Sequence, residues 1–198
     1  MIRLLDILFS VIGLIILLPL FFFLSVWIKI DSCGPVFFRQ VRVGKNNIDF
    51  KLLKFRSMFV DSEKKGLITV GANDSRITRS GLFIRKYKLD ELPQLLNVLI
   101  GNMSLVGPRP EVRKYVDLYT QEQKRVLSVK PGITDYASIE YIDENELLAK
   151  SAESEKTYIN QIMPEKIKYN LKYIDNKCSK EYLKIILLTI KSIIKSIK

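Results

Sequence analysis

An uninterrupted apolar run near the amino terminus limits what this chain can be more than any other feature. Residues Ile7 to Ile28 read ILFSVIGLIILLPLFFFLSVWI, 22 positions without a charge. As a straight helix the run is roughly 33 Å long, enough to cross a bilayer. It is apolar all round, which a helix packed on a soluble core is not. No small-residue cleavage site follows before Lys29 and Asp31, so a secretory leader does not fit. The run therefore belongs in lipid. Pro19 lies just past its middle. Proline lacks an N–H and clashes with the carbonyl four residues back, so the helix is expected to kink or break there. Two arrangements are open on the residues alone. One is a spanning helix kinked at Pro19. The other is a broken helix that dips into the bilayer and returns on the same side. Flanking charges balance at both ends (Arg3 with Asp6, Lys29 with Asp31), so they give no orientation.

The rest of the 198-residue chain is long enough for one domain with a modest core. The expected class is α+β, mainly α, with the membrane segment at 1–30 and a cytosolic domain at 31–198. Residues 35–56 alternate as a β-hairpin around Gly44-Lys45-Asn46-Asn47. A polar, glycine-bearing stretch over 61–80 reads as a long loop. A short helix is expected over Leu92–Leu99, capped by Gly101-Asn102. Residues 111–129 and 143–175 read as helical, and Lys130-Pro131-Gly132 as a turn. From about 181 to 198, lysines at 184, 191, 195 and 198 are set among Ile, Leu and Tyr. That pattern describes a basic amphipathic helix suited to an anionic lipid surface, or a helix docked on the domain.

The chain carries 32 basic and 21 acidic residues, a net charge of +11, so its partners should be anionic. Eleven lysines and five acids from Lys150 onward put +6 of this excess at one end. There is no histidine, which excludes Ser-His and Cys-His nucleophiles, imidazole proton shuttles and histidine-ligated metals. The two cysteines, Cys33 and Cys178, are far apart and form neither a zinc motif nor a disulfide framework. Nucleic acid is a poor partner: the chain has the charge but no aromatic–basic stacking surface. No phosphate-binding GxxxxGK[ST] loop occurs.

Two groups of residues carry candidate chemistry. Asp90 and Glu91 precede Pro93, which is tolerated only in a first helical turn. Asp90 is therefore expected at or near a helix N-cap. An aspartate there is an ordinary cap. It is also a carboxylate at a natural phosphate site, with Arg85, Lys86 and Lys88 just upstream. Two adjacent acids can divide two roles, one attacking phosphorus and one holding Mg²⁺. The second group is Arg56, Arg76, Arg79 and Arg109, with Lys54 and Lys130, read as a diphosphate cradle or as solvated surface charge. Arg109 stands between two prolines, which makes it extended and stiff.

With these residues assembled, the chain resembles the bacterial sugar transferase family, the small monotopic polyprenyl-phosphate phosphoglycosyl transferases. The likeness runs from RLLDILFS at Arg3 through IKIDSCGPVFFRQVRVG, KFRSM and DSRITRSGLFIRKYKLDELPQLLNVLIGNMSLVGPRPE to VKPGIT at Val129. It implies that Asp90 attacks the β-phosphorus of a UDP-sugar, that UMP leaves, and that polyprenyl (undecaprenyl) phosphate then takes the phosphosugar from the aspartate. It implies Mg²⁺ at Glu91, with Asp90 beside it, and an ordering role for Arg85. Phosphate or nucleotide binding is implied for Lys54, Arg56, Arg76, Arg109 and Lys130. It further implies a re-entrant helix-break-helix at Pro19, a site on the cytoplasmic face of the bacterial inner membrane, and later glycosyltransferases that act on the product. The sequence departs from the family at Leu18, where serine is frequent before Pro19. It departs again at Asp135-Tyr136-Ala137-Ser138, where Gly-Trp is frequent, a region expected to touch the sugar or uracil. The competing expectation is a non-catalytic, basic membrane-surface binding protein.

Overall fold

A computed structural model describes residues 1–62, 74–141, 144–149, 151 and 153–197. The chain is mainly helical, with two small sheets. The first element, α1 (Ile2–Asp31), is one helix of 30 residues with Pro19 inside it. The break expected at Pro19 does not occur. The proline is exposed and costs the helix one backbone bond, while residues on either side of it hold α1 to the domain. A Cβ added to Gly13 would lie 3.3 Å from Leu95. Beyond the proline, Leu20, Phe21, Leu24 and Ile28 pack with Phe55 and Ile84. The opposite face of α1, including Leu8, Ile12, Ile15, Phe22 and Val26, is exposed.

The expected hairpin is present. Strands β1 (Phe37–Val43) and β2 (Asp49–Phe55) pair antiparallel around a 3-10 turn at Lys45–Asn47. Asn46 and Asn47 both have positive φ in the turn, which asparagine tolerates well. The polar stretch 61–80 lies partly outside the described residues. Its end, from Asp74, forms a turn that leads into α2 (Arg79–Lys86). That helix was not anticipated, although Thr78 supplies its N-cap by accepting from the Gly81 N–H at 3.0 Å.

Residues Leu89–Glu91 form a 3-10 turn that continues into α3 (Gln94–Ile100). Asp90 is thus inside a tight turn and not an N-cap. The cap position belongs to Lys88, in a left-handed conformation at φ 54°. Gly101 ends α3 at φ 103°, as its sequence position suggested. A second sheet joins β3 (Ser104–Val106) and β4 (Gly132–Thr134) in parallel. The Lys130-Pro131-Gly132 turn therefore runs directly into a strand. At this crossing Gly107 and Gly132 touch backbone to backbone: a Cβ on Gly132 would lie 2.1 Å from the Gly107 nitrogen.

Residues 111–129 are less helical than expected. They hold a single turn, α4 (Arg113–Val116), and a 3-10 segment at Gln123–Ser128. Helices α5 (Tyr136–Glu140), α6 (Glu144–Ala149), α7 (Ser154–Thr157) and α8 (Met163–Asp175) follow, with a π-helical turn at Tyr158–Ile162 ahead of α8. The final helix, α9 (Ser179–Ile197), docks through fully buried Tyr182 and Ile185. It leaves Leu183, Leu187, Ile190 and Ile194 exposed. Buried Asp6 ties both ends of the chain together. Its carboxylate accepts from the Ser104 hydroxyl at 2.9 Å, the Leu105 N–H at 2.8 Å and the Tyr182 hydroxyl at 2.8 Å.

Candidate functional site

A cavity of about 830 Å³ opens between the hairpin, the 3-10 turn at Asp90 and the α5–α8 region. Its wall begins with the hairpin alternation: Phe38, Gln40 and Arg42 share one face of β1, and Lys54 stands opposite Phe38 on β2. The Lys54 ammonium donates to Glu91 Oε1 at 3.0 Å. Arg109, extended by its two prolines, forks onto the same carboxylate. One nitrogen donates to Oε2 at 3.1 Å and the other to Oε1 at 2.5 Å. The Arg109 backbone is fixed in turn by Asp135, whose carboxylate accepts from its N–H at 3.1 Å and also caps α5 through the Ser138 N–H. Asp135 is fully buried and braces Arg109 from behind, while Ser138 of the same departing stretch lines the cavity.

Asp90 and Glu91 sit side by side with their carboxyl pKa values shifted in opposite directions. Burial pushes the Asp90 carboxyl above its ordinary value. The Lys54, Arg85 and Arg109 charges oppose that push, and the Glu91 charge adds to it. Burial acts on Glu91 in the same sense, but Arg109 and Lys54 outweigh it and hold this carboxyl well below the carboxylate range. The arrangement leaves Asp90 as the carboxylate with no salt bridge among the described residues, while Glu91 is saturated.

Lys54, Arg76, Arg85, Asp90, Glu91 and Arg109 all line this one cavity. Arg76 also pairs with Asp74 at 2.6 Å. Two of the expected binding residues are placed otherwise. Arg56 borders the cavity, but its guanidinium donates to the carbonyls of Ile28 (3.2 Å), Ser32 (2.7 Å) and Cys33, at the carboxyl end of α1. Lys130 is not among the lining residues; it lies beside Gly101, close to Arg3.

The sequence reading missed the far half of the cavity. There Arg42 pairs with Glu111 at 3.5 Å, and Glu111 accepts from the Tyr158 hydroxyl. Lys166 pairs with Glu144 at 2.7 Å and lies over the Tyr158 ring. Arg42 was legible from the strand alternation. Tyr158 and Lys166 come from helices with no motif to mark them.

No cluster of three metal-ligating side chains occurs among the described residues. Mg²⁺ does not need one, since it is commonly held by one or two carboxylates together with substrate phosphates. Glu91 and Asp90 fit that donor set, provided that Arg109 or Lys54 yields an oxygen of Glu91.

The chain matches the family Bacterial sugar transferase over residues 1–196. It is 47% identical over 137 residues to the UDP-N-acetylgalactosamine-undecaprenyl-phosphate N-acetylgalactosaminephosphotransferase of Aeromonas hydrophila, covering 68% of this chain and 32% of that protein. Over 120 residues it is 47% identical to a putative undecaprenyl-phosphate N-acetylgalactosaminyl 1-phosphate transferase of Bacillus subtilis (strain 168), covering 61% and 67%. Over 192 residues it is 39% identical to the UDP-glucose:undecaprenyl-phosphate glucose-1-phosphate transferase of Klebsiella pneumoniae, covering 95% and 39%. The chain thus spans about a third of the Aeromonas protein's length and two thirds of the Bacillus protein's.

Proposed function

The chain belongs to the bacterial sugar transferase family, and on that premise we propose that it moves a sugar 1-phosphate from a UDP-sugar to undecaprenyl phosphate, releasing UMP. The observation that carries the reading is the pair at 90 and 91: one carboxylate is locked by Lys54 and Arg109, and its neighbour has no ion pair at the wall of the cavity. In the first step an Asp90 oxygen bonds to the β-phosphorus. The bond from that phosphorus to the bridging oxygen breaks, and the electron pair leaves with UMP. In the second step a phosphate oxygen of the lipid attacks the same phosphorus and Asp90 is released. Lys54, Arg85 and Arg109 supply positive charge to the phosphoryl oxygens in both steps. Mg²⁺, held by Glu91 with Asp90, would add charge neutralisation when bound. Neither step needs a proton shuttle, which suits a chain without histidine.

The lipid acceptor requires the site to lie at a membrane. The most apolar 18-residue window of α1 is only 11% buried within the protein. Both ends of α1 are bonded to the same domain. Arg3 donates to Val98 and Leu99 carbonyls at one end, and Asp31 accepts from the Ser80 N–H and hydroxyl at the other. A helix that crossed a bilayer would carry its two ends to opposite sides. Two ends held by one domain support an unbroken helix that stays on one side of the bilayer, lying in its surface with the exposed edge of α9, and we take that side to be the cytoplasmic face of the inner membrane. We take the donor to carry an acetamido sugar, and the product to be extended by later glycosyltransferases.

Protein in detergent, given Mg²⁺, undecaprenyl phosphate and a panel of UDP-sugars, is expected to release UMP and not UDP. Asp90→Asn is expected to abolish release, and quenched mixtures to contain phosphosugar on Asp90. Release of UDP, or an Asp90→Asn variant as active as its parent, defeats the reading and favours a non-catalytic membrane-surface protein.

A further inference from the structure

About 15 Å from Asp90, judged by the rise along the Asp90–Ile100 segment, Arg3 and Lys130 meet at the carboxyl end of α3, with Lys45 and Lys177 close enough to act on Lys130 electrostatically. Arg3 comes from α1, Lys45 from the hairpin turn, Lys130 from the segment before β4, and Lys177 from the link between α8 and α9. Arg3 already donates to two α3 carbonyls, Val98 at 2.5 Å and Leu99 at 2.8 Å. One of its nitrogens and the Lys130 ammonium approach the same point beside Gly101. A Cβ built on that glycine would lie 3.3 Å from the first and 3.5 Å from the second. Burial and the positive charges of Arg3, Lys45 and Lys177 push the Lys130 ammonium pKa down, and burial and Lys45 do the same at Lys177.

Among the described residues one carboxylate, Asp6, attracts Lys130 and Lys177, but it is buried and already accepts from Ser104, Leu105 and Tyr182. The ammonium groups of Lys45, Lys130 and Lys177 have no ion pair or hydrogen bond among the described residues. Four cations against one already engaged carboxylate leave an excess of positive charge that an anion would offset. The adjoining surface says what that is: Met1, Leu4 and Ile100 are 85%, 73% and 70% exposed, so the charges border an apolar face. A soluble anion has no use for that face, whereas a lipid offers both parts.

We propose that Arg3, Lys45, Lys130 and Lys177 form a site for the phosphate headgroup of an anionic phospholipid, apart from the reaction cavity, which seats the amino-terminal end of α1 at the bilayer. The proposal rests on the membrane-surface placement of α1 given above. It accounts for the position of Lys130, which the reaction cavity does not use.

The test is co-sedimentation of the full chain with vesicles of phosphatidylcholine alone, or with added phosphatidylglycerol. Lys45→Gln/Lys177→Gln is compared with Lys51→Gln/Lys124→Gln, an exposed pair of equal charge outside the cluster. At about fivefold for each basic residue at an anionic surface, the first pair should weaken binding to phosphatidylglycerol vesicles roughly 25-fold. The control pair should weaken it by less than about threefold if the loss comes from the phosphate site and not from overall charge. Neither pair should change binding to phosphatidylcholine. Equal losses from the two pairs overturn the proposal, as does a parent indifferent to phosphatidylglycerol. Release from the vesicles by soluble glycerol phosphate at constant ionic strength also overturns it, since the site would then take free phosphate. UMP release in detergent by Lys45→Gln/Lys177→Gln should match the parent; if it falls while vesicle binding holds, the residues serve the reaction instead. A parent that releases no UMP would sink the transferase reading and leave the vesicle comparison intact.

Discussion

Arg56 offers the sharpest contrast between two roles for one residue. Its family resemblance implies phosphate binding, whereas its guanidinium reaches the carbonyls of Ile28, Ser32 and Cys33. Replacement by methionine keeps much of the side-chain volume and removes every donor. A hydrogen bond from a charged group contributes about 1.5–3 kcal/mol. The three bonds share one guanidinium and are not additive, and the two outer carbonyls can be rehydrated. The buried Ile28 carbonyl keeps its full desolvation penalty, and the end of α1 loses a cation that suits its dipole. Together these give a loss of about 3–5 kcal/mol. For a chain of this size that corresponds to a fall in Tm of roughly 6–20 °C. The assay is thermal unfolding in detergent, followed by near-ultraviolet circular dichroism, alongside KM for the UDP-sugar at a temperature where the variant is folded. We expect a large fall in Tm with KM within about twofold of the parent. A Tm within about 2 °C of the parent, combined with a raised KM, refutes the clasp and returns Arg56 to the phosphate.

Two further outcomes follow from the geometry. Gly132→Ala places a methyl group 2.1 Å from the Gly107 nitrogen, so β3 and β4 must separate. The expected cost is about 1–3 kcal/mol or more, with a larger fractional loss of UMP release than of folded protein, because the displaced segment carries Arg109. Full activity at parental Tm would show that the crossing yields freely. The second outcome concerns pH. In the proposed reaction Asp90 attacks as the ionised carboxylate, and its pKa is raised above the ordinary 3.8. Activity is therefore lost, as pH falls, at a higher pH than for an ordinary aspartate. Glu91, held low, stays ionised throughout that loss. Lys54→Met removes a charge that favours ionised Asp90, so the acid limb of the UMP-release profile should move to still higher pH. An acid limb that stays put or moves down excludes Asp90 as the titrating group.

Local signals in the sequence carried the elements that depend on local physics. The alternation of FFRQVRV and the asparagine-rich turn gave the hairpin. Gly101 gave the end of α3, and the apolar run gave α1. The Asp90-Glu91 pair and the stiffness of Arg109 were visible because neighbouring prolines restrict the backbone whatever surrounds it. Packing changed the details. Asp90 entered a 3-10 turn, with the cap position passing to Lys88. Residues 111–129 lost most of their helix to the tight run around Tyr115 and Val126, which serves a buried cluster.

By itself, the chain determined its charge, its lack of imidazole chemistry, its long apolar segment and the short motifs that carry its family likeness. Those properties belong to residues or to runs of a few residues, and survive in any fold. Only the tertiary structure decided which cations share a cavity. Arg109 meets Glu91 across 18 positions and Lys54 meets it across 37, while Arg56 and Lys130 are drawn off to α1 and to the end of α3. Side chains of like charge look alike in a sequence, and what separates a substrate ligand from a helix clasp is the nearest partner, which distant parts of the chain supply.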